Sequence, residues 1–442
     1  MPVYPYFFLV VTVAGWAGGL FSGPLYALLA YVFVYFNIPE QQWWGGYVPD
    51  LRWSFSSAVV LVLSVVFHYS KGIANPLQKG SGSWLLILYL LWMLITVPFA
   101  AFPDQAITRV YDFFRYVLIF CLVLAVVDSC NKLRAYLWMM LLQVGWLSWS
   151  ARSYFTGERL DGVGPGDAGD ANALGVLLLS AIPFLLVFLV RGRKWERIGA
   201  LLLMPVILNC FAMTRSRGGF IGLAVAIFLI FVFEKDKKIK RILVALSCGA
   251  MLLMFFLADQ SFKDRLYRIA DQDVQSESSG AGRVGIWKSG ILMMPDYPLG
   301  AGGGGFMALS PRYLESEFLE KTVGVRASHN TLLLILVEQG VVGLILFFGF
   351  CYQIVRCSFV ARKRLRDIIS RAPAVGIAST RMELLYMLCG AFSSALAGVL
   401  TAGLFVDRLY FEGLYFLSAL GPVLGVIAAN ELLKEQQLNA PQ

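Results

Sequence analysis

Three short stretches of this chain place phosphate-binding residue types near one that can take a proton. Thr214-Arg215-Ser216-Arg217-Gly218-Gly219 lies between two apolar runs. Gly282-Arg283-Val284-Gly285-Ile286-Trp287 lies in a long polar stretch that also holds Arg265, and Ser328-His329-Asn330 opens the longest late apolar run. A guanidinium is planar, permanently charged and matches phosphate oxygens two at a time. His329, with an ordinary pKa near 6.5, is able to accept a proton from a hydroxyl at neutral pH. Gly218 and Gly219 would let backbone approach an anion closely. The plain alternative for the arginines is snorkelling, or pairing with Asp259, Asp264, Glu315 and Glu317. Arg265 and Arg268 resemble the polar face of a surface helix more than a site.

Further candidates carry a structural explanation beside the chemical one. Glu338 is ionisable in an otherwise apolar helix, and pairing with Arg109 or Arg115 accounts for it. Asp167, Asp170 and Asn172 stand where a helix over 172–190 needs caps, with a role toward an acceptor as the alternative. Asp407-Arg408 and Glu412 read as a loop ion pair, and His68, at the end of an apolar span, as structural. The seven cysteines lie in or beside apolar segments without CxxC spacing, which points to packing. No DxD pair or histidine cluster stands near the arginines, so neither metal nor other cofactor is expected.

The elements that position these residues must be membrane helices. With 58 % hydrophobic and only 15 % charged residues and a mean hydropathy of +0.69, no soluble core could bury the apolar side chains. The expected class is all-α, a polytopic integral membrane protein forming a single membrane domain over 1–442. Spans are predicted at 55–70, 84–102, 111–128, 133–150, 172–190, 198–213, 219–233, 241–257, 329–355, 382–405 and 413–430. Residues 5–36 are one kinked span or two short ones, broken at Gly18-Gly19 and Ser22-Gly23-Pro24. The preferred single span gives about twelve crossings. The first apolar stretch lacks the basic start of a cleavable signal.

Lysine and arginine placement sets the orientation. Alternate short loops from Lys71 to Arg381 hold more than half of the 37 basic residues, and they are read as cytoplasmic together with the C-terminus. The net charge of +9 is then a topology signal, and no nucleic-acid partner is implied. Arg215, Arg217, Arg265, Arg283 and His329 fall together on the opposite face. That face includes the loop 258–328, about 70 residues long and expected to be partly helical, over 259–270 and 282–294. Charges gathered at one face favour an enzyme over a transporter of lipid-linked sugars, whose ionisable groups should sit at mid-membrane.

Taken in order, four motifs resemble the superfamily of O-antigen ligases, O-antigen polymerases and O-linked oligosaccharyltransferases. They are Ser216–Gly219, Gly282–Trp287, the Pro298–Phe306 run and His329-Asn330 with Glu338 and Gly340 downstream. The resemblance covers residues 160–350. It implies a multi-pass protein of the bacterial inner membrane with a periplasmic site, working without metal or nucleotide sugar. The donor would be a glycan on undecaprenyl pyrophosphate and the acceptor lipid A–core oligosaccharide, among membrane lipids. By position, Arg217 and Arg283 would hold pyrophosphate with Arg215 and Arg265 as neighbours, and His329 would be the base. The modest loop and short polar tail favour the ligase. An O-linked protein glycosylation ligase and then the polymerase are the alternatives within the superfamily.

Overall fold

A computed structural model describes residues 3–69, 75, 77, 80–157, 159–257, 280–314, 325–371 and 377–438, and every regular element among them is a helix. The first ten are α1 (Val3–Phe21), α2 (Pro24–Phe36), α3 (Trp53–Phe67), α4 (Ser83–Thr96), α5 (Pro103–Val126), α6 (Cys130–Ser150), α7 (Ala171–Arg191), α8 (Lys194–Thr214), α9 (Arg217–Phe233) and α10 (Lys237–Leu257). Then follow α11 (Gly280–Met293), α12 (Gly305–Tyr313), α13 (Thr331–Arg371), α14 (Ile377–Ala402), α15 (Glu412–Ser418) and α16 (Leu420–Leu438). Helix satisfies its own backbone, which hydrocarbon demands of any segment crossing it.

Six described helical stretches are long and apolar enough to cross a membrane: Val3–Phe21, Ala171–Arg191, Lys194–Thr214, Thr331–Ser370, Thr380–Ala402 and Glu412–Lys434. Trp53–Phe67, Ser83–Phe99 and Arg217–Phe233 are shorter apolar helices. The expected helix over 282–294 is α11, whereas 259–270 lies outside the described residues.

Residues 5–36 depart from the single kinked span. Ser22-Gly23-Pro24 turns the chain back on itself, with Gly23 at φ +151° and Pro24 opening α2. Small residues let the two helices touch: a Cβ on Gly19 would lie 2.5 Å from that of Ala27, and one on Gly15 2.6 Å from that of Ala30. Pairing 15 with 30 and 19 with 27 makes the helices antiparallel, and the hydropathy profile alone had no means of separating a kink from a full reversal.

The bundle is built around α7, whose most apolar window is 83 % buried against 22 % for α1. Protein on every side of α7 explains its uninterrupted Leu, Val and Phe run, while α1 offers apolar side chains outward, as a lipid-facing helix does. Beside α7, α9 and α14 meet through small residues. A Cβ on Gly222 would lie 2.5 Å from the Gly398 carbonyl oxygen, and Ala226 and Ala402 continue the seam. Close backbone approach of this kind is what holds helices together where lipid gives no hydrophobic drive.

Gly340 breaks α13 at φ +64°. The carbonyls of Val337 and Glu338, freed from helix pairing, accept from the amides of Ala301 (2.8 Å) and Gly302 (3.0 Å). The glycine-rich Pro298–Phe306 run is therefore a plug docked on the break, and a Cβ at Gly300 would strike the Glu338 carbonyl at 2.5 Å.

Candidate active site

His329 sits just before α13 in a left-handed backbone conformation, φ +48°. For a residue with a Cβ that region costs about 1–2 kcal/mol, so its surroundings must hold it. Asp407 does so. Its carboxylate accepts from the His329 amide (3.2 Å), the Asn330 amide (2.9 Å) and the Ser328 hydroxyl. Asn330 Oδ1 accepts from the amides of Leu332 and Leu333, capping α13. The Trp287 indole donates to the Ser328 carbonyl at 3.1 Å, which ties the turn to α11. The half-buried imidazole is pushed below its ordinary pKa by desolvation, with Asp407 and Asp170 opposing and Arg283 and Arg159 adding to the drop. That lowering favours the uncharged ring, the form able to accept a proton.

The arginines approach from two other elements. Arg217 is the first residue of α9, exposed at the helix N-terminus, where Ser216 caps by accepting from the Gly219 amide at 3.2 Å. Helix N-termini favour anions. Arg283, in the first turn of α11, is half-buried. Burial lowers its pKa first, then repulsion from Arg217 and from Arg159. Arg217 and Arg159 both act on Arg283, and Arg283 and Arg159 act on His329, so an anion arriving here relieves repulsion.

Arg159 was not singled out by its sequence context, since it is an isolated cation in a glycine-rich loop without a motif around it. The loop brings it in by pairing with the 214–216 turn. Leu160 N donates to Met213 O (3.2 Å), Arg159 Nε to Thr214 O (3.3 Å) and Arg215 Nη2 to Gly157 O (2.8 Å). Arg215 is thus a strap across the loop, also 5.9 Å from the Phe155 ring, and its left-handed φ of +49° ends α8. Arg265 lies outside the described residues. Gly218 has a packing reason for its size: a Cβ there would stand 2.8 Å from that of Phe405.

The acidic candidates knit the floor. Asp170 caps α7 through the amides of Asn172 (2.9 Å) and Ala173 (3.0 Å), and its other oxygen lies 3.7 Å from Arg408. Asn172 Oδ1 accepts from Ser216 Oγ at 3.0 Å, joining α7 to α9. Asp167 does not cap. It accepts from Tyr35 (2.8 Å) and the Glu412 amide (2.5 Å), and burial pushes its carboxyl above the usual range.

Glu338 is ion-paired with neither arginine expected for it. Its oxygens take the Tyr410 hydroxyl (2.9 Å) and, at 3.4 Å, the Phe306 amide, locking the glycine plug. Arg109 stacks on the Tyr410 ring at 4.9 Å, and Arg115 stands 3.8 Å from Glu412. Asp407 and Arg408 also differ from the expected pair: Asp407 organises the His329 turn, while Arg408 turns to Asp170 and the Phe411 ring. His68, buried, bonds the Ser64 carbonyl at 2.9 Å, as a structural residue should.

Residues 201–348, which contain Arg215, Arg217, Arg283 and His329, match the family model described as O-Antigen ligase. No curated protein matches the chain.

Proposed function

Through residues 201–348 this chain belongs to the O-antigen ligase superfamily, and on that premise we propose that it joins a glycan from undecaprenyl pyrophosphate to lipid A–core oligosaccharide. The observation that carries this reading is the approach of Arg159, Arg217 and Arg283 to His329, which Asp407 holds in a pre-set turn. The acceptor hydroxyl oxygen attacks the anomeric carbon from the face opposite the pyrophosphate. The new glycosidic bond forms as the bond to the pyrophosphate oxygen breaks, so the anomeric configuration inverts. His329 takes the hydroxyl proton, the electron pair of the breaking bond stays on the pyrophosphate oxygen, and Arg217 and Arg283 hold the charge that develops there. Fixed positive charge on a developing anion usually supplies the largest share of such a rate enhancement. Asp167, Asp170 and Asn172 border the acceptor side. The same reading sets the site at the periplasmic face of a bacterial inner membrane, with the C-terminus cytoplasmic.

The test is transfer by purified protein in EDTA without ATP. Undecaprenyl-pyrophosphate glycan is the donor, offered to lipid A–core and, in parallel, to an acceptor protein. Glycan on lipid A–core is the expected product. Glycan on protein alone would replace the reading by a protein glycosylation ligase, and lengthened donor with neither acceptor used would make the chain a polymerase. Bound but unreacted donor would point to a transporter.

A further inference from the structure

Away from His329, α2, α3 and α5 enclose a cavity of about 450 Å³ open to the outside of the bundle. It has a polar mouth and an apolar floor. Arg52, Glu40, Tyr111 and Arg115 line the mouth. Below them α3 contributes Phe55, Val59 and Leu63, one stripe at helical spacing, and α5 contributes Phe114, Leu118 and Leu122. From Phe55 to Leu63 the helix descends about 12 Å. Phe55, Val59, Leu63 and Phe114 are all exposed, so this trough faces the lipid side of the bundle. Arg115 also stands 3.8 Å from Asp112 and from Glu412, so an anionic head there would share it with these carboxylates.

The shape and charge specify an amphiphile, with an acyl chain on the floor and an anionic head at the mouth. The mouth is also joined to the candidate active site. Arg115 reaches Glu412, the Glu412 amide donates to Asp167, and the same 406–412 segment carries Asp407 under the His329 turn. We propose that this groove seats the lipid anchor of the acceptor, with an acyl chain between α3 and α5 and a head-group phosphate on Arg52 and Arg115. The assignment rests on the reading that the acceptor is a phosphorylated lipid. It places that lipid and the donor pyrophosphate on different walls around the 406–412 segment.

The experiment compares full-length wild type with Val59→Trp and Leu118→Trp, which fill the floor, and Arg52→Gln, which removes mouth charge. KM is measured separately for lipid A–core and for the undecaprenyl-pyrophosphate glycan. The acceptor KM should rise about tenfold or more, equivalent to at least ~1.4 kcal/mol, while donor KM and kcat stay near wild type. An unchanged acceptor KM overturns the proposal, including the case where the variants lose only co-purified bulk phospholipid. Arg52→Gln decides alone if the tryptophan variants do not accumulate. If wild type transfers to no lipid at all, the functional reading fails by itself. Retention of lipid A, seen by native mass spectrometry, then judges the groove: equal retention by wild type and Val59→Trp overturns it.

Discussion

The His329 turn and the arginine cluster meet in one site but are stabilised in opposite ways. In the turn, one carboxylate gathers three donors and an indole fixes the preceding carbonyl, so a strained backbone is held by more bonds than it needs. In the cluster, Arg159 and Arg217 make the charged state of Arg283 less favourable. The base is set in place before substrate arrives, whereas repulsion at Arg283 is a cost that an arriving anion offsets. Mutations should therefore divide between the chemical step and donor binding.

The largest effect is expected at the turn itself. His329→Ala should lower kcat by about 10²–10⁴-fold, the usual contribution of a general base, with donor KM little changed in steady-state transfer assays. An equal loss through KM would erase the distinction between the two regions. Asp407→Asn should cost about 1–3 kcal/mol through disordered donors, read mainly in kcat. It also carries a pH signature. Asp407 raises a His329 pKa that burial holds low, so its loss should move the acid limb of the rate profile still lower. A limb moving upward would contradict the geometry. The smallest change, Arg159→Gln, should raise donor KM about tenfold, or ~1.4 kcal/mol, and leave kcat nearly intact. A fall in kcat alone would place Arg159 with the turn instead.

Legibility in the sequence followed the range of the interactions. The end of α9 at Phe233 was readable from its apolar run, whereas its start at Arg217 falls two residues before the expected 219 because Ser216 caps the helix there. The cap at Asp170 was readable because its bonds, to the amides of Asn172 and Ala173, are local. Asp407 was not, since its three bonds cross to Ser328–Asn330 and depend on a tertiary meeting of two chain segments. Arg159 was hidden likewise, carried into place by backbone pairing with 213–214. Glu338 was misread because an arginine is the obvious partner for a buried acid. The actual partners, a tyrosine hydroxyl and a backbone amide, come from a loop whose docking depends on the break at Gly340. The N-terminal hairpin was ambiguous because glycine and proline mark a break without stating its angle.

That hairpin decides at which end of the bundle the chain begins. Tyr4, at the start of α1, lies 6.0 Å from the Trp43 ring and 5.8 Å from the Trp146 ring, at the end of the bundle where α2 and α6 finish. The loop that follows α6 is the one that delivers Arg159. Two antiparallel helices return the chain to the end of the bundle it left, and α3 sets out again from there. The start of α1 therefore lies at the end of the bundle where α2 and α6 finish.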